Sequence, residues 1–95
     1  MRVITSVEGK VPENKTKIFE ESYAKIKDTE LPSGLISSSL VKSKNGDKYK
    51  IMTFWDSYES IEKMRAVGKP KALELFENIG ITPTIEIYEE IDKIG

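Results

Sequence analysis

The chain has 95 residues, 33% of them charged and 38% hydrophobic, the balance of one small globular domain spanning residues 1–95. It contains neither Cys nor His, which excludes disulfides, thiolate nucleophiles, Cys/His zinc sites, haem on an axial His and Ser-His-Asp catalysis. Fifteen Lys+Arg against sixteen Asp+Glu leave a net charge of -1, which offers no global attraction for nucleic acid or an anionic membrane.

No stretch approaches the roughly 20 apolar residues of a membrane span, and the opening Met1-Arg2-Val3-Ile4-Thr5-Ser6 lacks the apolar run of a signal peptide. The chain therefore reads as cytoplasmic, with no membrane partner.

Arg2 to Glu8 alternates Val3, Thr5 and Val7 with Ile4, Ser6 and Glu8, which predicts a first strand that Gly9 closes. Pro12 suits the first helical position and Glu13 the positive helix end. Apolar Ile18, Phe19, Tyr23 and Ile26 then recur at helical spacing, so a first helix follows. Asp28 to Gly34 ends it, with Pro32 and Gly34 as breakers. Leu35 to Ser43 predicts a serine-rich second strand, and Lys48 to Asp56 a third. Between them Asn45-Gly46 signals a hairpin, because both residues tolerate positive φ. A second helix opens either on an Asp56/Glu59 capping box or on Ser57 as cap, and runs through Ile61, Met64 and Arg65. Gly68-Lys69-Pro70 must interrupt it; helix resumes through Ala72, Leu73, Leu75 and Phe76, and Gly80 is placed as a left-handed stop. Thr82 to Ile91, where Ile85, Ile87 and Ile91 alternate with Glu86, Tyr88 and Glu90, predicts the fourth strand.

The order βαββαβ is the ferredoxin-like α+β unit, a four-stranded antiparallel sheet with two helices on one face. The third strand is nevertheless apolar on both sides, with Tyr49, Ile51 and Trp55 on one and Met52 and Phe54 on the other. An uncovered apolar face of several hundred Å² is unusual for a soluble monomer, so a homodimer joined through the sheet face is expected.

Pro32-Ser33-Gly34-Leu35-Ile36-Ser37, then Phe54-Trp55-Asp56-Ser57-Tyr58-Glu59-Ser60-Ile61, then Leu75-Phe76-Glu77-Asn78-Ile79-Gly80 and Thr82-Pro83-Thr84-Ile85-Glu86-Ile87-Tyr88 carry a likeness over nearly the whole chain. In these segments the chain resembles the antibiotic-biosynthesis-monooxygenase family. The resemblance implies a dimeric α+β barrel with a ligand cavity in each subunit between sheet and helices. Members of that family include cofactor-independent oxygenases of aromatic polyketides or quinols and haem-degrading enzymes. This chain departs from the pattern where many relatives carry a His on the second helix, nine residues after the strand Trp; Met64 stands there. The haem-degrading branch uses an Asn on the first strand and a Trp and a His on the second helix. The nearest positions here, Thr5, Met64 and Glu74, match none of them.

A cofactor-independent oxygenase needs a pocket that excludes water, a group that orients a phenolic substrate and donors for the oxyanion. The candidate lining residues are Thr5, Tyr23, Ser37, Ser39, Trp55, Met64, Phe76 and Tyr88, with Ser38 and Tyr49 as further hydroxyls. Glu86 is a candidate base if it faces the barrel and an ordinary exposed strand residue if it does not. Arg65, one of two arginines, is either an anchor for an anionic substrate or a solvated helix charge. No glycine-rich phosphate loop and no calcium loop is present, so neither metal nor cofactor is expected. The βαββαβ order is shared with RNA-recognition domains, but Tyr49-Lys50-Ile51-Met52-Thr53-Phe54 lacks their motif and no nucleic-acid partner is expected. The expectation is a cofactor-independent monooxygenase-like protein acting on a small aromatic or quinol-type compound, or a non-catalytic dimeric small-molecule binder or sensor of the same fold.

Overall fold

A computed structural model describes residues 2–95. Four strands, β1 (Val3–Lys10), β2 (Leu35–Lys42), β3 (Lys48–Trp55) and β4 (Thr84–Glu89), form one antiparallel sheet in the order β2-β3-β1-β4. Three helices, α1 (Thr16–Lys25), α2 (Tyr58–Val67) and α3 (Lys71–Glu77), pack on one face of it. This is the ferredoxin-like α+β arrangement; the expected second helix is two, separated by the Gly68-Lys69-Pro70 break. No helix among the described residues is long and apolar enough to cross a membrane.

The sheet register sorts the side chains. Because directly paired residues point the same way, Val3/Trp55/Leu35, Thr5/Thr53/Ser38, Val7/Ile51/Leu40 and Gly9/Tyr49/Lys42 form successive rows on the helix-covered face. Ile4, Ser6 and Glu8 share the opposite face with Phe54, Met52 and Lys50, and with Tyr88, Glu86 and Thr84 of β4.

Two apolar clusters hold the helices to the sheet. The larger joins Val7, Ile51 and Tyr49 to Phe19 of α1 and Leu75 and Phe76 of α3. Its ring pairs, Phe19 to Tyr49 at 5.3 Å and Phe19 to Phe76 at 4.7 Å, each contribute about 0.5–1.5 kcal/mol beyond the area they bury. The smaller cluster joins Val3 and Trp55 to Ile61 of α2.

Several boundaries depart from the sequence expectation, each for a local reason. Gly9 lies inside β1 rather than closing it: the strand goes on pairing with β3 at Tyr49 and Lys48, and the residue is Gly because an added Cβ would sit 3.0 Å from the Phe76 ring. Pro12 precedes a short 3-10 turn, Glu13–Lys15, and only then does α1 begin. The β2–β3 connection is a hairpin, but neither Asn45 nor Gly46 takes positive φ. It is a longer loop closed by Ser43 N–H to Lys48 O at 2.9 Å. Ser57 is the cap of α2, accepting from the Ser60 N–H, which resolves the two alternatives at that helix start. At Gly80 (φ 80°) the helical end closes through Ile81 N–H to Phe76 O and Gly80 N–H to Glu77 O, the paired bonds of a Schellman motif. The fourth strand is shorter than Thr82 to Ile91 at both ends.

Candidate functional site

The row Ser38–Thr53–Thr5 runs across three strands between the two apolar clusters. Three β-hydroxyls in one row cannot join either cluster without hydrogen-bond partners, so the helix layer divides above them. α1 packs with α3 on one side and α2 packs on Trp55 on the other. The result is a cleft of about 1080 Å³ between sheet and helices. Its volume is slightly above the roughly 300–1,000 Å³ usual for small-molecule pockets.

The floor carries its own hydrogen-bond pattern. Trp55 Nε1 donates to Thr5 Oγ1 at 3.0 Å, Thr53 Oγ1 donates to Ser38 Oγ at 3.3 Å, and Ser38 Oγ meets the Tyr23 hydroxyl of α1 at 2.8 Å. Trp55 and Thr53 are buried, whereas Ser38 is open to solvent. Thr5 has no protein acceptor for its own proton among the described residues, so its O–H, polarised by the indole donor, can point at a ligand.

The walls are mostly apolar. Ile26, Leu35, Met64, Ala72 and Leu73 line them, with Ile85 at the β4 side. Four of the five α2 lining positions, Ser60, Lys63, Met64 and Val67, follow the i, i+3, i+4, i+7 spacing of one helix stripe, and Arg65 lies off it. Among the described residues no cluster of acidic side chains suits a metal ion.

Of the sequence candidates, Thr5, Tyr23, Trp55 and Met64 line the cleft, and Ser37 borders it at the sheet edge although its partner Phe54 lies on the opposite face. Ser39, Phe76 and Tyr88 lie elsewhere. Ser39 pairs with Met52 on the opposite face, and Tyr88 pairs with Ile4 there and donates to Glu86 at 2.8 Å. That bond with the Glu86 carboxylate is the main reason the Tyr88 pKa is raised. Glu86 accordingly faces away from the cleft and is not placed to act as a base in it. Phe76 is fully buried against Phe19, a core residue rather than a wall. Tyr49 is likewise in the core, its hydroxyl donating to Glu20; burial, then that carboxylate, pushes its pKa up to about 12.

Two lining hydroxyls received less weight in the sequence than their position warrants. Thr53 shares the two-residue period of Ile51 and Trp55, so alternation alone places it on the helix face. Ser38 rather than Ser39 shares that face because a bulge between Leu35 and Ser37 shifts the register of β2. Nothing in the serine run signals that bulge.

The α2 entrance is tightly built. The Asp56 carboxylate accepts from Ser60 Oγ at 2.6 Å and from Ser57 Oγ at 3.1 Å, and these bonds hold its pKa below the usual value. Asp56 N–H donates to Gly34 O at 2.9 Å, which ties the start of α2 to the turn before β2.

No protein-family model matches the chain, and no curated protein matches it in sequence. Solved structures do match it. A cofactor-independent oxygenase from Streptomyces nogalater is similar at TM-score 0.72 and 15% identity, over 98% of this chain and 96% of that one. A haem-degrading protein from Mycobacterium tuberculosis is similar at TM-score 0.72 and 21% identity, over 100% of both chains. A candidate antibiotic biosynthesis monooxygenase from Nitrosomonas europaea is similar at TM-score 0.72 and 12% identity, over 95% of this chain and 99% of that one. At these identities the likeness is one of fold, and the chain has the fold shared by antibiotic-biosynthesis-monooxygenase-like structures.

Proposed function

We propose that the chain is a cofactor-independent monooxygenase-like protein that takes a small aromatic or quinol-type compound into the cleft between sheet and helices. The observation that carries this reading is the hydroxyl row Ser38–Thr53–Thr5, flanked by Tyr23 and Trp55, on the floor of a cavity whose walls are mostly apolar and whose rim is charged. An apolar cleft with a few convergent donors suits a flat ring bearing oxygen substituents. Thr5 and Tyr23 would hold such an oxygen as its negative charge develops. In an oxygenation of this kind the substrate is its own reductant: a ring methylene becomes a carbonyl, one atom of O2 entering the product and the other leaving as water. Both electron pairs come from the two C–H bonds broken. The fold shared with a cofactor-independent oxygenase supports this reading.

One observation favours the alternative, a non-catalytic binder of the same compounds. The floor offers only hydroxyls and an indole, and the two lining carboxylates, Glu30 and Glu74, come from the loop after α1 and from α3 rather than from the sheet. No imidazole exists anywhere in the chain to serve as base.

The assembly belongs to the same proposal. Ile4, Met52 and Phe54 form a half-buried apolar strip on the helix-free face, with Val41 and Tyr88 half exposed beside it. The chain exposes 6626 Å², which is roughly 1,100 Å² more than the scaling for a compact monomer of its mass. A second copy packed on this face would cover that surface.

Oxygen uptake with anthrone-type and quinol-type compounds, read alongside Trp55 fluorescence, tests the function. Uptake with one product oxygen derived from labelled O2 establishes the oxygenase. A fluorescence change without uptake establishes the binder. Neither signal with any compound removes both readings.

A further inference from the structure

The chain carries three side-chain amides, Asn14, Asn45 and Asn78, and no Gln. An exposed Asn can close on its own backbone: the nitrogen of the next residue attacks the side-chain carbonyl carbon, a five-membered imide forms and ammonia leaves. Two conditions govern the step. The attacking nitrogen must be free of a strong hydrogen bond, and the residue that carries it must not crowd the approach.

All three asparagines are exposed, so exposure does not separate them. The residue that follows does. After Asn14, the Lys15 N–H is held by Pro12 O at 2.8 Å in the 3-10 turn Glu13–Lys15. After Asn78, the Ile79 N–H is held by Phe76 O at 3.2 Å, and a β-branched side chain stands beside it. After Asn45 comes Gly46, which has no side chain, and its N–H reaches Ser43 O only at 3.5 Å, beyond the usual range of roughly 2.7–3.2 Å.

The loop geometry sharpens the contrast. An Asn-Gly pair in a two-residue hairpin turn has both residues at positive φ, locked between paired strands. Here neither is at positive φ, and the strands stop short of the pair, β2 ending at Lys42 and β3 starting at Lys48. Among the described residues no hydrogen bond holds the Asn45 side chain.

We propose that Asn45-Gly46 is a self-modification site, where the chain loses ammonia and gains a carboxylate. The Gly46 nitrogen gives up its proton and bonds to Asn45 Cγ; the Cγ–Nδ2 bond breaks, and the departing nitrogen leaves as ammonia with that proton. Water then opens the imide at either carbonyl, which leaves an aspartate or an isoaspartate at position 45. Water is the only co-reactant. Each event adds one negative charge to a chain of net charge -1, in a loop where Lys44 and Asp47 flank the pair. The isoaspartate form also lengthens the backbone of that loop by one carbon. Neither residue lines the cleft, so the change falls on the hairpin and its surface charge and leaves the cavity as it is.

The test incubates the protein for several weeks at about pH 7 and about pH 9, then locates isoaspartate by carboxyl-methyltransferase labelling and peptide mapping. Label is expected at position 45 ahead of the other two asparagines, and faster at the higher pH because the attacking nitrogen must lose its proton. Gly46→Ala should slow the reaction at least about ten-fold, which corresponds to about 1.4 kcal/mol in barrier. That substitution suits the backbone, since Gly46 is not at positive φ and an added Cβ meets only the Ser43 hydroxyl, at 3.0 Å. Circular dichroism checks that the variant keeps the fold. Asn45→Ser should abolish the label at that position. No isoaspartate after weeks at the higher pH, first appearance at Asn14 or Asn78, or a rate unmoved by Gly46→Ala each overturns the proposal.

Discussion

Trp55 Nε1 donates to Thr5 Oγ1 at 3.0 Å, diagonally across the β1–β3 pair, and so joins the last residue of β3 to the middle of β1. The indole is 3% exposed and has no other acceptor among the described residues, so the bond keeps a buried N–H satisfied. Thr5→Val keeps the shape and removes the acceptor. It should cost about 1–3 kcal/mol in urea denaturation, while Thr5→Ser stays close to the parent protein. Equal stability of the two variants would show that the bond contributes nothing.

Tyr49 predicts the alkaline behaviour. Burial, followed by its hydrogen bond to Glu20, raises its pKa from 10.0 to about 12. A pKa raised by folding contributes stability that is complete below the unfolded value and is lost as pH climbs through the folded one. The parent protein should therefore lose stability more steeply than Tyr49→Phe between pH 10 and about 12. At neutral pH, Tyr49→Phe should cost about 1 kcal/mol for the missing hydrogen bond. Ultraviolet absorbance should show one tyrosine ionising near pH 12 that is missing from Tyr49→Phe. Superimposable pH profiles of parent and variant would contradict this.

Gly34 is required at the turn before β2 on two counts. Its φ is +88°, and an added Cβ would lie 2.1 Å from Ser60 Oγ. Gly34→Ala should cost about 2 kcal/mol or more. Ser60→Gly removes the clash with Ser60 but leaves the Asp56 carboxylate 2.7 Å from the added Cβ and leaves the backbone strain, so Gly34→Ala should cost less, though still something, in that background. An unchanged cost would assign the effect to the backbone and Asp56.

Asp56 predicts the acid limb. Hydrogen bonds from Ser60 and Ser57 hold its folded pKa below 3.8. A depressed pKa contributes stability present above the unfolded value and lost as pH falls through the folded one. The stability of Asp56→Asn should consequently fall less between pH 5 and pH 2 than that of the parent protein. Parallel acid denaturation curves would remove this role.

Phe54 lies on the helix-free face beside Ile4 and across from Ser37. If that face joins two copies, the parent protein sediments at twice 10.8 kDa and Phe54→Glu, which places a charge in the interface, at 10.8 kDa with its circular dichroism intact. A parent protein that sediments as a single chain at micromolar concentration would rule out the sheet-to-sheet dimer.

Much of this molecule was legible in the chain because strands and helices write their periods locally. The alternation of Tyr49, Ile51 and Trp55 with Met52 and Phe54 located β3 and both of its faces. Gly80 and the Gly68-Lys69-Pro70 break marked the ends of helical segments where they occur. The end of β1 was not legible, because Gly9 stays in the strand through its pairing with Tyr49, a residue far away in the chain. The turn at Asn45-Gly46 likewise obeys its loop length rather than its dipeptide preference.

The candidate site divides in the same way. The residue types alone determined what chemistry is unavailable, since a chain without Cys or His has no thiolate, imidazole or zinc-finger site wherever its strands lie. They also placed Thr5, Tyr23, Trp55 and Met64 among possible lining residues. Only the tertiary structure decided that Thr5, Thr53 and Ser38 stand in one row and that Tyr88 and Glu86 turn to the other face. The physical reason is register: a side chain's face is set by counting in twos along its own strand, but its neighbours depend on how the strands slide, and on one bulge after Leu35.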